Sequence, residues 1–324
     1  MLLSLGKQGT IMRAKEPRMK FGAQVSCYLT SWDDIRLVVE TMESGRWHSV
    51  YLADHFLPPN RGDASESLAA YEGFTTLAGI ASITERLKLG HLVLGNTYRN
   101  PALLAKMAGT IDHISHGRFT LALGAGWFQR EHEAYSWDFP SMRERSDRLE
   151  EACKLIRLLF TSTEPVDFAG RYYKLIQAPL SPGSYQTPHI PIMVGGTGPK
   201  RTLKTLAMYG DVFNLDGFAR RGMSIELLRE KITILEQHCE KLGRNPAEIR
   251  KTILMPTMLS DDQSKTKEFV EMIGPNTVAG SAGYIIERIG EFIDEGVDEI
   301  MFGRLPNEPD EFQRFEEEVI AAFD

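Results

Sequence analysis

The sequence predicts a closed (β/α)8 barrel. Three observations carry the prediction. Eight short apolar runs alternate with helix-length amphipathic segments. The strand-then-helix order holds along the chain and implies a parallel sheet. The 324 residues also exceed the ~250 that such a barrel takes, leaving room for insertions. No repeat at a short fixed period appears, which argues against a solenoid.

Taken in order, Met19–Ser26 reads as the first strand. Ser31 caps a helix over Trp32–Ser44, whose apolar face is Ile35, Val38, Val39 and Met42, and Gly45 ends it. Ser49–Ala53 is the second strand and delivers Asp54-His55-Phe56. A polar loop, Pro58–Ser67, leads to a helix over Tyr71–Ile83. Leu87–Gly95 is the third strand, and Pro101 opens the helix Pro101–Ser115. Phe119–Leu123 is the fourth strand, ending in Gly124-Ala125-Gly126-Trp127. After the charged helix Met142–Phe160, the segment Thr161–Ile190 has four prolines, an aromatic cluster and no helical period. It reads as an insertion with short strands lying over the barrel mouth. Ile190–Val194 is the fifth strand, followed by Gly195-Gly196-Thr197-Gly198 and a helix over Lys200–Tyr209. The sixth strand is Asp211–Leu215, with Ile225–Leu242 after it. Arg250–Met255 and Glu299–Phe302 are the last two strands. Helices over Thr266–Met272, Ser281–Glu295 and Asp310–Phe323 complete the chain.

Residues 1–18 read as a flexible, polar and basic leader, and 19–324 as one domain. With 37 Lys and Arg against 44 Asp and Glu, the net charge is −7, which favours neither nucleic acid nor an anionic membrane. No run approaches the ~18 apolar residues of a membrane span. The cysteines Cys27, Cys153 and Cys239 share no metal-like spacing and form no disulfide framework, so a reducing, cytoplasmic setting is expected. The histidines give no metal-binding set.

The active face of such a barrel lies at the carboxyl ends of its strands. Asp54 and His55 end the second strand, where a carboxylate and an imidazole can position a hydroxyl and move a proton; the other reading is a loop cap beside a packed ring. Gly195–Gly198 before a helix that opens Pro199-Lys200-Arg201 can admit a phosphate to free N–H groups, with Lys200 and Arg201 adding charge. Tight turns need glycine anyway. Gly124–Gly126 has the same two readings. Glu131 and Glu133, the nearest carboxylates downstream of Trp127, read equally as acid/base candidates and as helix-surface charges. With no reactive cysteine or Gly-x-Ser-x-Gly motif, a bound organic cofactor is left to do the chemistry.

Gly90-His91-Leu92-Val93, Tyr98-Arg99-Asn100-Pro101-Ala102-Leu103-Leu104-Ala105-Lys106, Gly117-Arg118 and Gly124-Ala125-Gly126-Trp127-Phe128 resemble the luciferase-like oxidoreductases, most of all the branch that uses the deazaflavin coenzyme F-420. The resemblance runs from Lys20 to about Phe302. It implies a luciferase-like barrel with insertions over its carboxyl-terminal face. It implies that Asp54 contacts the coenzyme and that His55 is the catalytic acid. Leu92 and Val93 would form a bulge with a non-proline cis peptide that braces the ring. Gly95, Ala125, Gly126 and Trp127 would line the ring, and Gly195, Gly196, Thr197 and Gly198 would hold the phosphate. In the sugar-phosphate dehydrogenase members a catalytic Glu stands where this chain has Trp127, which argues against that substrate. The expected activity is hydride transfer between coenzyme F-420 and a carbonyl, alcohol or apolar compound, by a homodimer. A monooxygenase using flavin mononucleotide (FMN) and oxygen is the alternative. A flavin-binding protein without turnover and a flavin-free sugar-phosphate binder are the lesser ones.

Overall fold

A computed structural model describes residues 19–59, 69–219 and 222–324. The predicted leader, and the loop over Pro58–Ser67 from residue 60 onward, lie outside them.

The chain begins with β1 (Lys20–Val25) and α1 (Trp32–Ser44). Ser31 and Asp34 exchange side-chain-to-backbone hydrogen bonds at the start of α1, so two otherwise unpaired N–H groups are met. Next come β2 (Ser49–Leu52), α2 (Gly73–Ile83), β3 (Lys88–His91) and β4 (Leu94–Gly95). Then follow α3 (Pro101–Ile114), β5 (Phe119–Gly124), α4 (Gln129–Ala134) and α5 (Met142–Thr161). A hairpin, β6 (Val166–Ala169) and β7 (Lys174–Ala178), precedes β8 (Ile192–Gly195) and α6 (Thr202–Tyr209). The last part is β9 (Val212–Asp216), α7 (Ile225–Leu242), β10 (Arg250–Leu259), α8 (Gln263–Ile273), β11 (Val278–Gly280), α9 (Ala282–Asp294), β12 (Glu299–Gly303) and α10 (Pro309–Glu318).

Eight strands close a parallel barrel in the order β1-β2-β3-β5-β8-β9-β10-β12, with β12 paired back to β1. This is the predicted (β/α)8 architecture. The third strand departs from its single predicted run. It breaks after His91 and resumes as β4, which pairs only with Leu123 and Gly124 of β5. The seventh strand runs past Met255 to Leu259 and carries β11 along its extension.

The insertion over 161–190 also departs from its expected place. The tip of its hairpin binds Glu151 of α5, which accepts the amides of Arg171, Tyr172 and Tyr173. Farther on, Asp112 of α3 accepts the amides of Tyr185 and Gln186. The segment is therefore fastened to the outer flank of α3 and α5. Its link to the mouth is Tyr173, whose hydroxyl meets Asn96 Nδ2 at 3.3 Å.

Inside the barrel, Tyr51, Leu92, Ala122, Met193, Val212, Leu254 and Met301 pack together. A larger apolar layer fills the space between strands and helices. Trp47 is fully buried there against Phe302, Phe312 and Phe315, tying the β2 entry to α10. At the amino-terminal end, the buried Glu299 carboxyl meets Ser49 Oγ. Burial raises its pKa above the ordinary carboxylate value, against the Ser49 hydrogen bond.

Candidate active site

Asp54, two residues past the end of β2, is 2% exposed. Its Oδ1 and Oδ2 each take an Arg99 guanidinium nitrogen at 2.8 Å, and Oδ2 also accepts the Gly95 amide at 2.9 Å. Glu72 meets the same guanidinium. Asp54 thus fixes the end of β2 to β4 and to the turn ahead of α3. It is engaged on both oxygens.

His55, the next residue, turns its ring toward the edges of Trp127 and Phe128, with centroids 5.3 and 5.7 Å away. Its Nδ1 lies 3.0 Å from Glu131 Oε2. Glu131 is wholly buried, which removes the helix-surface reading of this residue. The side of α4 that carries it faces the turn after β2. Its Oε1 accepts the amides of Phe56 and Leu57 at 2.6 and 3.0 Å, and its Oε2 also accepts the Tyr98 hydroxyl at 2.5 Å. Burial pushes the Glu131 carboxyl up. The hydrogen bonds from His55 and Tyr98, the His55 charge and the Leu57 amide pull it back, to below the ordinary value. Tyr98 moves the other way: burial and its bond to Glu131 raise the phenol. An ionised Glu131 takes a proton-bearing Nδ1 from His55, which leaves Nε2 as the ring's exchangeable position. Among the described residues Nε2 has no hydrogen bond. Glu133, by contrast, is exposed.

His132 completes this layer. Its Nδ1 lies 2.9 Å from the Phe128 carbonyl and must donate to it, so Nε2, at 2.8 Å, accepts the Thr97 hydroxyl. Thr97 in turn sits where a side chain at Gly126 would go: a Cβ there would lie 2.6 Å from Thr97 Oγ1, and Gly126 has φ +80°. At Gly95 a Cβ would meet the Tyr98 ring at 2.5 Å.

The Leu92–Val93 peptide is cis, in the gap between β3 and β4, where the resemblance implied it. Gln24 Nε2, from β1, donates to the Leu92 carbonyl at 3.1 Å. The Val93 side chain occupies the space that Gly124 and Gly195 leave. A Cβ on either glycine would lie 2.8 or 2.6 Å from Val93 Cγ2. The room at these two glycines is therefore filled from within. Farther along the turn it is open: Gly196 has φ +101°, and only Thr202 Cγ2, at 3.5 Å, approaches its Cβ position. Helix α6 begins without a side-chain cap, and of its first N–H groups that of Leu203 is taken by the Gly198 carbonyl at 3.0 Å. Gly196 and Gly198 are exposed, and Thr197 and Ala125 are half-buried. Lys200 is exposed there, whereas Arg201 points away to Asp147 and to the Arg143 carbonyl. Trp127, 60% exposed and stacked on Phe128 at 5.0 Å, offers an aromatic face at the rim.

Fold and site together define a closed (β/α)8 barrel whose polar chemistry gathers at the carboxyl ends of its strands. The family model for luciferase-like monooxygenase matches residues 8–274, and the chain belongs to that family. Similar curated proteins include the F-420-dependent glucose-6-phosphate dehydrogenase of Amycolatopsis mediterranei, 29% identical over 249 residues that cover 75% of this chain and 70% of that protein. The enzyme of the same description from Mycolicibacterium gilvum is 30% identical over 260 residues, covering 78% and 72%. Among solved structures, an F-420-dependent secondary alcohol dehydrogenase in complex with an F-420–acetone adduct superposes with a TM-score of 0.81 at 21% identity, covering 95% of this chain and all of that one. A coenzyme F-420-dependent tetrahydromethanopterin reductase from Methanopyrus kandleri gives 0.77 at 18% identity, over 95% and 100%.

Proposed function

We propose that this chain is an oxidoreductase that passes a hydride between coenzyme F-420 and the carbonyl or alcohol carbon of a small organic compound. The observation that carries the reading is the pair of half-buried His55 and buried Glu131, set beside the exposed face of Trp127 at the mouth of a luciferase-like barrel. The residues present fit the coenzyme. The turn Gly196–Gly198, open at Gly196, and the start of α6 without a side-chain cap would hold its phosphate, with Lys200 adding charge. Leu92, Val93, Ala125 and Trp127 would flank its ring, and Gly95 and Gly126 keep Tyr98 and Thr97 close behind that wall.

When bound, the deazaflavin supplies or accepts the hydride. The chain handles the proton. In the oxidising direction, as the substrate C–H pair leaves as hydride, the O–H proton passes to His55 Nε2 and the C–O bond becomes a carbonyl. In the reducing direction Nε2 returns it. Glu131 keeps Nδ1 protonated and stabilises the ring when it is charged. Asp54 and Arg99 lock the strand end that carries His55. The family resemblance implies that Trp127 stands where the sugar-phosphate dehydrogenases carry an acid, so in this reading a single titrating side chain serves the substrate oxygen.

Fluorescence titration with coenzyme F-420 and, separately, with FMN tests the reading, followed by coenzyme turnover with alcohols and carbonyl compounds. Tighter binding of the deazaflavin, weakened at least tenfold by Gly196→Val, is expected. Preference for FMN would move the protein to the oxygen-using branch, and binding of neither would remove the enzyme reading. We also propose a cytoplasmic homodimer. Its support is three free, buried cysteines and the exposed apolar residues Ile83 on α2 and Leu103 and Ile114 on α3. Sedimentation checks the dimer. No helix among the described residues is long and apolar enough to cross a membrane.

A further inference from the structure

Among the described residues, two groups at the barrel mouth have no hydrogen-bond acceptor, the buried Tyr28 hydroxyl and the exposed Arg304 guanidinium. Tyr28 lies just past β1, held extended by pairing with the chain ahead of α2: Leu29 N meets the Ala69 carbonyl at 3.0 Å and Tyr71 N the Cys27 carbonyl at 2.9 Å. The Tyr28 hydroxyl is buried and has no hydrogen-bond partner among the described residues. Native proteins pair nearly all such groups, and the exceptions concentrate where function needs them. Arg304 is the first residue past β12, the barrel neighbour of β1, and it has φ +73°. Its guanidinium lies over the Phe218 ring, 5.8 Å from the centroid. Among the described residues it meets no carboxylate. Desolvation lowers its pKa, and Tyr28 is the group that opposes this.

Among the described residues, the acids within electrostatic reach of Tyr28 are Asp54 and Glu131. Both are already saturated, Asp54 by Arg99 and Gly95, Glu131 by His55, Tyr98 and two amides. Neither can serve the two donors. The strands β12, β1 and β2 are consecutive around the barrel, so Arg304, Tyr28 and His55 follow one another along a single arc. The open glycine turn after β8 lies on another part of the circumference.

We propose that Tyr28 and Arg304 form a donor-only subsite for an anionic oxygen group on the substrate, a carboxylate or a phosphate, one arc away from the reacting centre at His55. This rests on the hydride-transfer reading above and narrows its substrates to carbonyl or alcohol compounds that carry such a group. The hydroxyl and the guanidinium supply hydrogen bonds and charge, and the Phe218 ring lies under the guanidinium.

The test is titration of coenzyme-loaded protein with inorganic phosphate and with acetate, followed by coenzyme fluorescence, on wild type, Tyr28→Phe and Arg304→Gln. In loaded protein the coenzyme fills the turn after β8. Wild type should saturate with one or both anions, and each substitution should weaken that saturation at least tenfold while coenzyme affinity stays within about twofold. Tighter binding of phosphate identifies a phosphate-bearing substrate, and tighter binding of acetate a carboxylate. Free Tyr28→Phe should melt at or above the wild-type temperature, because it loses only an unpaired hydroxyl. Equal titrations of all three proteins would overturn the subsite. A lower melting temperature for Tyr28→Phe would also do so, by showing that the hydroxyl has a partner. If the coenzyme does not bind, the hydride-transfer reading fails separately. Phosphate titration of the free proteins still reads the subsite, since the turn after β8 is common to all three.

Discussion

Replacing Glu131 by Gln tests how the site holds its proton carrier. The carboxylate accepts hydrogen bonds from His55, Tyr98, Phe56 and Leu57. In the variant the single amide oxygen must stay on the two backbone amides, which can only donate. The amide nitrogen then faces His55 Nδ1 and Tyr98, so it donates where the carboxylate accepted, and the imidazole is pushed toward the opposite tautomer. A charge-assisted hydrogen bond of this kind is worth about 1.5–3 kcal/mol. If that bond strengthens as the ring takes up the proton, kcat should fall roughly ten- to a hundred-fold. Coenzyme absorbance under single turnover reads the loss, and fluorescence should show coenzyme affinity unchanged within about threefold. The pH profile supplies a second reading. Glu131 titrates below its ordinary value of 4.5, so the stability it contributes is present above that value and is lost as pH falls through the folded-state pKa. The gap in stability between wild type and the Gln variant should therefore close toward low pH. A variant with wild-type kcat and a wild-type pH–rate profile would refute the role of Glu131 and leave it a brace for the turn after β2.

Other changes have defined outcomes. Gly195→Ala puts a Cβ 2.6 Å from Val93 Cγ2 and should cost ~1–3 kcal/mol, read as a lower urea midpoint at unchanged m-value; adding Val93→Ala should recover part of that loss. Trp47→Ala empties the space among Phe302, Phe312 and Phe315 and should cost about 3–5 kcal/mol in the same assay. Glu299 has a raised pKa, so its contribution is fullest below the ordinary carboxylate value and declines as pH rises. Glu299→Gln, which keeps a partner for Ser49, should gain on wild type in melting temperature from pH 5 to pH 8, and a constant difference would contradict the assignment.

Much of the barrel was legible because its signals are local. Ser31 as a cap, Pro101 at the start of its helix, and the apolar spacing within each run all act over a few residues. Asp54 and His55 stood out because a strand end is where polar residues must have a reason. Glu131 did not, because its partners His55 and Tyr98 are 76 and 33 positions away. The aromatic density around it (Trp127, Phe128, Tyr135 and Trp137) was the available hint that this side of α4 is covered. Glycine carried the same ambiguity throughout. At Gly124 and Gly195 the missing side chain makes space for Val93, whereas at Gly196 it permits a left-handed backbone and leaves the turn open. No local pattern separates those uses. Arg201 looked available beside the glycine turn, yet Asp147, brought there by the packing of α5 on α6, takes it.

The interlock of Val93 with Gly124 and Gly195 also bears on how this protein can change over evolutionary or laboratory time. Three barrel positions, on strands three, four and five, share one pocket of volume, so none of them can vary alone. A larger residue at either glycine needs a smaller one in place of Val93, and the intermediate is penalised whichever step comes first. The floor of the mouth is thereby frozen as a unit. New specificities should be sought in residues outside that unit, such as Trp127, Tyr28, Arg304 and Phe218. A library that randomises those four while holding the three fixed should retain far more folded members than one that does the reverse.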